Sequence, residues 1–262
     1  MTARRAWLAA MATLAAPARG QPLAPTPRAP AISFAPRPGT PVPPGLAFTD
    51  ERGRACRLAD FLGTAPVILA PAWYRCPQLC GLLAQGLLEA LHASGLPSSA
   101  ARLVFVSIDP QDAPADAAAR LRVDSDYWRF LAADAPAPAM AALVGAPATV
   151  RTLMDAIGYA WQPVTDAARL AHPAGAVVLA PDGRVSSLLP GVRIEGGEMR
   201  AALRAAADGT APSPIDRLVL LCAHLDASSG AHDGIVLAGV RVAGGLTLAG
   251  LALLALRRRR TP

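Results

Sequence analysis

The stretch Val67-Ile68-Leu69-Ala70-Pro71-Ala72-Trp73-Tyr74-Arg75-Cys76-Pro77-Gln78-Leu79-Cys80 joins an apolar run to a helical pattern. Val67 to Ala72 has the unbroken apolar character of a strand buried on both faces. From Cys80 to His92, residues Leu82, Leu83, Leu87, Leu88 and Leu91 recur on one helical face. The alternation continues outward. Leu103 to Ile108 reads as a second buried strand closed by Asp109-Pro110, Pro114 to Arg122 as a helix, and Trp128 to Ala132 as a short strand. Thr149 to Ile157 predicts a helix, Ala176 to Ala180 opens a hairpin turning at Pro181-Asp182-Gly183, and Ala201 to Ala207 predicts a last helix. Upstream, Phe48 to Arg54 reads as a strand, a tight turn at Glu51-Arg52-Gly53 and a returning strand. Strands alternating with helices predict an α/β domain with a mostly parallel sheet and right-handed crossovers.

The chain has 262 residues, of which 53% are hydrophobic and 17% charged, and that balance excludes an intrinsically disordered protein. The net charge of +6 sits at the ends. Without Arg4, Arg5 and Arg257 to Arg260 the basic and acidic residues are equal in number, so the body offers no basic face for nucleic acid. Arg4-Arg5, the apolar stretch Ala6 to Ala16 and the small-residue site Ala16-Pro17-Ala18 describe a secretory signal over 1–20. A Pro-rich tether follows over 21–45, then the folded domain over 46–210 and a juxtamembrane segment over 211–234. Ile235 to Leu256 carries one charge, Arg241, and as a helix rising ~1.5 Å per residue would reach about 33 Å against a bilayer core of ~30 Å. Arg241 would snorkel to the outer interface, and the basic tail 257–262 places that end of the helix in the cytoplasm. Both ends therefore predict a domain held outside the membrane.

Four cysteines occur, Cys56, Cys76, Cys80 and Cys222. Cys76 and Cys80 sit where a strand gives way to a helix, and there unpaired N–H groups and the helix dipole favour thiolate. A spacing of four puts both sulfurs on one face of the first turn, where they can bridge or share an ion. Soft thiolates suit Cu(I) with imidazole as third ligand, whereas zinc ordinarily takes four ligands. A structural disulfide explains the pair equally well. His172, one of four histidines with His92, His224 and His232, lies in the loop leading into the strand near Ala176. In a thioredoxin-like sheet that loop faces the cysteine turn, which makes His172 the candidate third ligand.

Three segments together resemble the Sco/SenC proteins, which help assemble the copper centre of cytochrome c oxidase. They are Trp73 to Cys80, Val106-Ser107-Ile108-Asp109-Pro110, and Ala171-His172-Pro173-Ala174-Gly175 with Pro181-Asp182-Gly183-Arg184. Leu220-Leu221-Cys222-Ala223-His224-Leu225-Asp226 and the apolar end resemble a bacterial branch with a C-terminal anchor. The resemblance implies a thioredoxin-like fold with a hairpin before the first core strand, and copper, one per chain, held by Cys76, Cys80 and His172. It implies an oxidase subunit as partner and a place on the bacterial inner membrane with the domain in the periplasm. The chain departs from the pattern in three places. Gly81 stands where proline is usual, which loosens the helix start; Leu188-Leu189-Pro190-Gly191 lacks the usual aromatics, which implies an altered docking surface; and Cys56 occupies an apolar position as a small hydrophobe.

Asp109 and Asp112 fall on the edge that carries the site, where an acid could tune the ion; capping of the next helix explains Asp112 as well. Cys222 with His224 and His232 offers either a second metal site or a plain juxtamembrane turn. The competing activity is a thiol–disulfide reductase in which one of Cys76 and Cys80 attacks and the other resolves. A peroxidase-like thiol enzyme would use Arg75 beside Cys76 but lacks the Pro-x-x-x-Thr arrangement it needs. A structural disulfide module gives His172 no part.

Overall fold

The computed structural model describes residues 32–76, 80–133, 135–164 and 169–209. In chain order these form β1 (Ser33–Phe34), β2 (Ala47–Thr49), β3 (Ala55–Arg57), β4 (Val67–Ala72), α1 (Cys80–Ala93), β5 (Arg102–Ser107), α2 (Pro114–Ala132) and β6 (Ala139–Leu143). There follow α3 (Pro147–Ala156), β7 (Tyr159–Ala160), β8 (Gln162–Val164), β9 (Arg169–Ala171), β10 (Gly175–Leu179), β11 (Val185–Pro190) and α4 (Gly196–Ala207).

Five strands build the central sheet in the order β11-β10-β4-β5-β6. Strands β4, β5 and β6 run parallel through the crossovers α1 and α2, while β10 and β11 run antiparallel. Side chains alternate across the sheet and divide the core in two. Ile68, Leu103, Phe105 and Val178 meet Leu87 and Leu91 of α1, Trp128 of α2, and Met199 and Leu203 of α4. On the other face Leu69, Val104, Val106 and Val177 meet Val150, Leu153 and Met154 of α3 and Phe48 of the β2–β3 hairpin. Both faces are covered, which is why the core strands read as unbroken apolar runs. This is a thioredoxin-like sandwich with a hairpin before its first core strand. Asp50 closes that hairpin by accepting from the N–H groups of Arg52 at 3.0 Å and Arg54 at 2.8 Å.

Two expectations are corrected. Trp128 to Ala132 is not a strand but the last turns of α2, and the strand beside β5 is β6. The buried residues of α2 are Ala117, Asp124, Trp128 and Ala132, a helical stripe disguised in the sequence by the carboxylate of Asp124. That carboxylate is tolerated because Arg120, one turn earlier, donates to it through Nε at 3.0 Å. Strand β6 contains no β-branched residue, so propensity does not reveal it. The domain also starts before Leu46. Residues 33 and 34 pair with β7, Pro41 bridges to Arg184, and Val42 is buried in the second core layer. Pro-rich composition hides this packing because Pro41 forms a single bridge to Arg184 rather than a ladder.

Among the described residues no helix is long and apolar enough to cross a membrane. The segments read as signal, juxtamembrane region, membrane helix 235–256 and basic tail lie outside the described residues, as do Cys222, His224 and His232. What positions the site is one edge of the sheet. The carboxyl ends of β4 and β5 and the amino end of β10 emerge there side by side, the kind of edge where open α/β sheets place ligands.

Candidate functional site

Strand β4 ends at Ala72 and the chain turns through Trp73-Tyr74-Arg75-Cys76, closed by the Cys76 N–H donating to the Trp73 carbonyl at 3.2 Å. Tyr74 is fixed at both ends. Its N–H donates to Asp112 Oδ2 at 2.8 Å, and its hydroxyl lies 3.0 Å from the carbonyls of Phe105 and of Leu143. Burial holds the phenol well above the ordinary tyrosine range, so the proton stays on the oxygen to be donated. Arg75 reaches the same carboxylate, donating from Nε to Asp112 Oδ1 at 3.0 Å and from Nη2 to Asp109 Oδ2 at 3.0 Å and Gln111 Oε1 at 3.3 Å. The Ser107 hydroxyl adds a 2.7 Å bond to Asp112 Oδ2.

Asp112, its side chain fully buried, is therefore the anchor of the cysteine turn. It does not cap the next helix. That role falls to Asp116, which accepts from the Ala113 N–H at 2.8 Å. Arg75 is engaged by three side chains of the β5–α2 connection, which accounts for its place beside Cys76 without any thiol chemistry.

Cys76 is half-buried at the end of this turn, and Cys80 is the first described residue of α1. The Cys80 side chain lies outside the described residues, and no group of three metal-ligating side chains is defined among those described. Behind Cys80, the position of Gly81 is hemmed in by α2: a Cβ there would come within 3.1 Å of Arg120 Nη1.

His172 follows the β8–β9 hairpin and precedes β10, half-buried. Strand β10 pairs antiparallel with β4, Val177 opposite Leu69, so the residues just before β10 leave the sheet beside those just after β4. The His172 loop and the Cys76 turn therefore leave the sheet at the same edge. The imidazole Nδ1 lies 3.1 Å from the Pro173 carbonyl. A carbonyl can only accept, so a hydrogen bond here requires the proton on Nδ1, the tautomer whose lone pair sits on Nε2. The same carbonyl accepts from the Tyr159 hydroxyl at 3.0 Å.

Cys56 takes no part in this group. It packs on the second core layer, its thiol donating to the Phe48 carbonyl at 3.7 Å, and burial followed by the charges of Asp50, Asp60 and Glu51 pushes the thiol above its ordinary value. Leu188 and Leu189 are buried in the core layers, so the missing aromatics at those positions alter packing and not an exposed surface. Sequence reasoning missed the roles of Tyr74, Asp112 and Tyr159, because each acts on a partner with no fixed spacing in the chain.

A comparison with protein-family models matches the SCO1/SenC family over residues 36–208. No curated protein matches. Among solved structures, a candidate electron transfer protein of Aquifex aeolicus VF5 is similar at 24% identity and a TM-score of 0.55, over 66% of this chain and 95% of that one. A SCO1/SenC family lipoprotein of Bacillus anthracis is similar at 14% identity and a TM-score of 0.50, over 66% and 96%. ScoI of Bradyrhizobium japonicum, solved with copper bound, is similar at 22% identity and a TM-score of 0.49, over 65% and 99%. At these identities the likeness is one of fold, whereas the family model spans the sheet, the cysteine turn and the His172 loop together, and on that match this chain belongs to the SCO1/SenC family.

Proposed function

We propose that the protein is a membrane-tethered copper chaperone that carries one copper ion on Cys76, Cys80 and His172 and passes it to a copper-containing subunit of cytochrome c oxidase. The carrying observation is the shared edge. The register between β4 and β10 supports this reading, because the His172 loop and the cysteine turn leave the sheet at the same edge, and a hydrogen bond at Nδ1 would leave the Nε2 lone pair as the donor. Two thiolates and one imidazole are a soft, three-donor set that suits Cu(I). Three ligands, on a turn, at a helix start and on a loop, would leave the ion undercoordinated and open to a partner's ligands, as transfer requires. The rigid part is the approach to Cys76, where Asp112 and Tyr74 hold the turn. The signal, the apolar segment 235–256 and the terminal arginines would keep this edge in the periplasm, near the oxidase.

The test is copper stoichiometry and affinity of the reduced protein, with His172→Ala and the double variant Cys76→Ser/Cys80→Ser beside it. One tightly bound copper per chain, lost in both variants, is the expected result. Full affinity in the double cysteine variant would sink the proposal. No copper, with a readily reversible Cys76–Cys80 couple that is indifferent to His172→Ala, would instead assign the protein as a thiol–disulfide reductase.

A further inference from the structure

We propose that Tyr159 is a positioning residue for His172, holding its imidazole in the Nδ1–H tautomer through the carbonyl they share. The inference rests on the reading of His172 as a copper ligand. The Pro173 carbonyl receives the Tyr159 hydroxyl at 3.0 Å and lies 3.1 Å from His172 Nδ1. Its oxygen has two lone pairs and no proton, so both neighbours satisfy it only as donors. A neutral imidazole in water favours the proton on Nε2, the wrong nitrogen for a ligand that must offer Nε2 to a metal. A fixed acceptor at Nδ1 reverses that preference, and the acceptor here is fixed from behind.

The wall behind it is buried. Tyr159 is 2% exposed and its ring meets Phe34 edge-on, centroids 4.9 Å apart and planes at 88°. Phe34 is held in turn by the pairing of β1 with β7, where it stands opposite Tyr159 itself. The far side of the loop is equally constrained. Gly175 takes φ +143, and a Cβ there would lie 2.8 Å from the Leu189 carbonyl and 3.4 Å from the Phe34 ring. A buried phenol thus fixes a carbonyl, the carbonyl fixes a proton, and the proton decides which nitrogen of His172 faces the ion.

The experiment uses the copper-free full chain with 15N-labelled histidine at pH about 8, above the ordinary histidine pKa of ~6.5, followed by Cu(I) competition against a chelator. His172 is assigned by the signal missing in His172→Ala. Wild type is expected to show a protonated Nδ1. Tyr159→Phe is expected to move the proton toward Nε2 and to weaken copper binding by about 10- to 100-fold, the usual effect of losing an outer partner of a metal ligand. Phe34→Leu loosens the same packing but keeps the hydroxyl, and should preserve the tautomer. Tyr159→Phe with the wild-type tautomer and affinity overturns the inference, as does an equal change in Phe34→Leu. A wild-type proton on Nε2 overturns it without any variant, so the test survives if Tyr159→Phe does not fold. If His172→Ala binds copper as well as wild type, the ligand reading itself has failed, a result distinct from these.

Discussion

Replacing Asp112 by alanine should loosen the cysteine turn by an amount that can be worked out bond by bond. The Tyr74 N–H loses an acceptor at 2.8 Å, and an amide left unsatisfied under a buried side chain costs about 1–3 kcal/mol. The Ser107 hydroxyl retains the Asp109 carbonyl at 3.2 Å, so its share is close to nothing. Arg75, whose side chain is 42% exposed, keeps Asp109 and Gln111 and forfeits about 0–1 kcal/mol. The total is about 1–4 kcal/mol, most of it from one backbone amide. Arg75→Gln, by the same reasoning, should cost only about 0–1 kcal/mol.

The assay is urea unfolding of the full chain, paired with the alkylation rate of Cys76 in a Cys80→Ser background. Asp112→Ala should lower the unfolding midpoint and speed alkylation, while Arg75→Gln changes both little. A loss below about 0.5 kcal/mol in Asp112→Ala would refute the reasoning, since that is the ordinary scatter of a surface substitution. So would an Arg75→Gln effect as large as that of Asp112→Ala, which would make the ion pair and not the amide the anchor.

Three further outcomes are expected. Tyr74→Phe removes a hydroxyl 3.0 Å from two carbonyls and should cost about 0.5–1.5 kcal/mol in the same unfolding assay, with Cys76 alkylated faster. Asp50 is pushed up by burial but pulled lower on balance by bonds from the Arg54 backbone and side chain and the Arg52 N–H. Its contribution is therefore present above the ordinary carboxylate pKa of ~3.9 and disappears as pH falls through the lower folded value, so Asp50→Asn should flatten acid unfolding below pH ~4. An unchanged acid slope in that variant would contradict this assignment. Gly86→Ala would gain roughly 1 kcal/mol of helix propensity in an open helix, yet here its Cβ would fall 2.0 Å from the Val192 carbonyl. The clash should dominate and lower the thermal midpoint, by about 1–3 kcal/mol of overpacking.

The βα unit around Cys76 and Cys80 was legible because its signals are local. An apolar run, a helical stripe of leucines and two cysteines at a helix start lie within one continuous segment and follow fixed periods. The glycine turns at Gly53 and Gly183 were legible for the same reason, each taking a positive φ where the residue type demands it. The hidden parts are those where one element borrows from another. Asp124 broke the apolar pattern of α2 and suggested that the helix ended early; its partner Arg120 lies one turn away in the same helix, but its burial comes from packing against other elements and cannot be seen in a linear pattern. β1 and Val42 passed as tether because their pairing partners, Tyr159 and Gly183, stand far along the chain.

The sequence by itself supplied the candidates for the chemistry: two cysteines at a strand-to-helix junction and one histidine before a strand. Side-chain type sets softness, charge and proton affinity, and those need no fold to be read. Only the tertiary structure decided that β10 lies beside β4, so that the His172 loop and the cysteine turn leave the sheet at one edge. It also decided that Asp112 anchors a turn instead of capping a helix, and that Tyr159 shares a carbonyl with His172. The reason is physical. Hydrogen-bond geometry depends on distance in space, and a period along the chain cannot encode a partner that the packing of a sheet brings near.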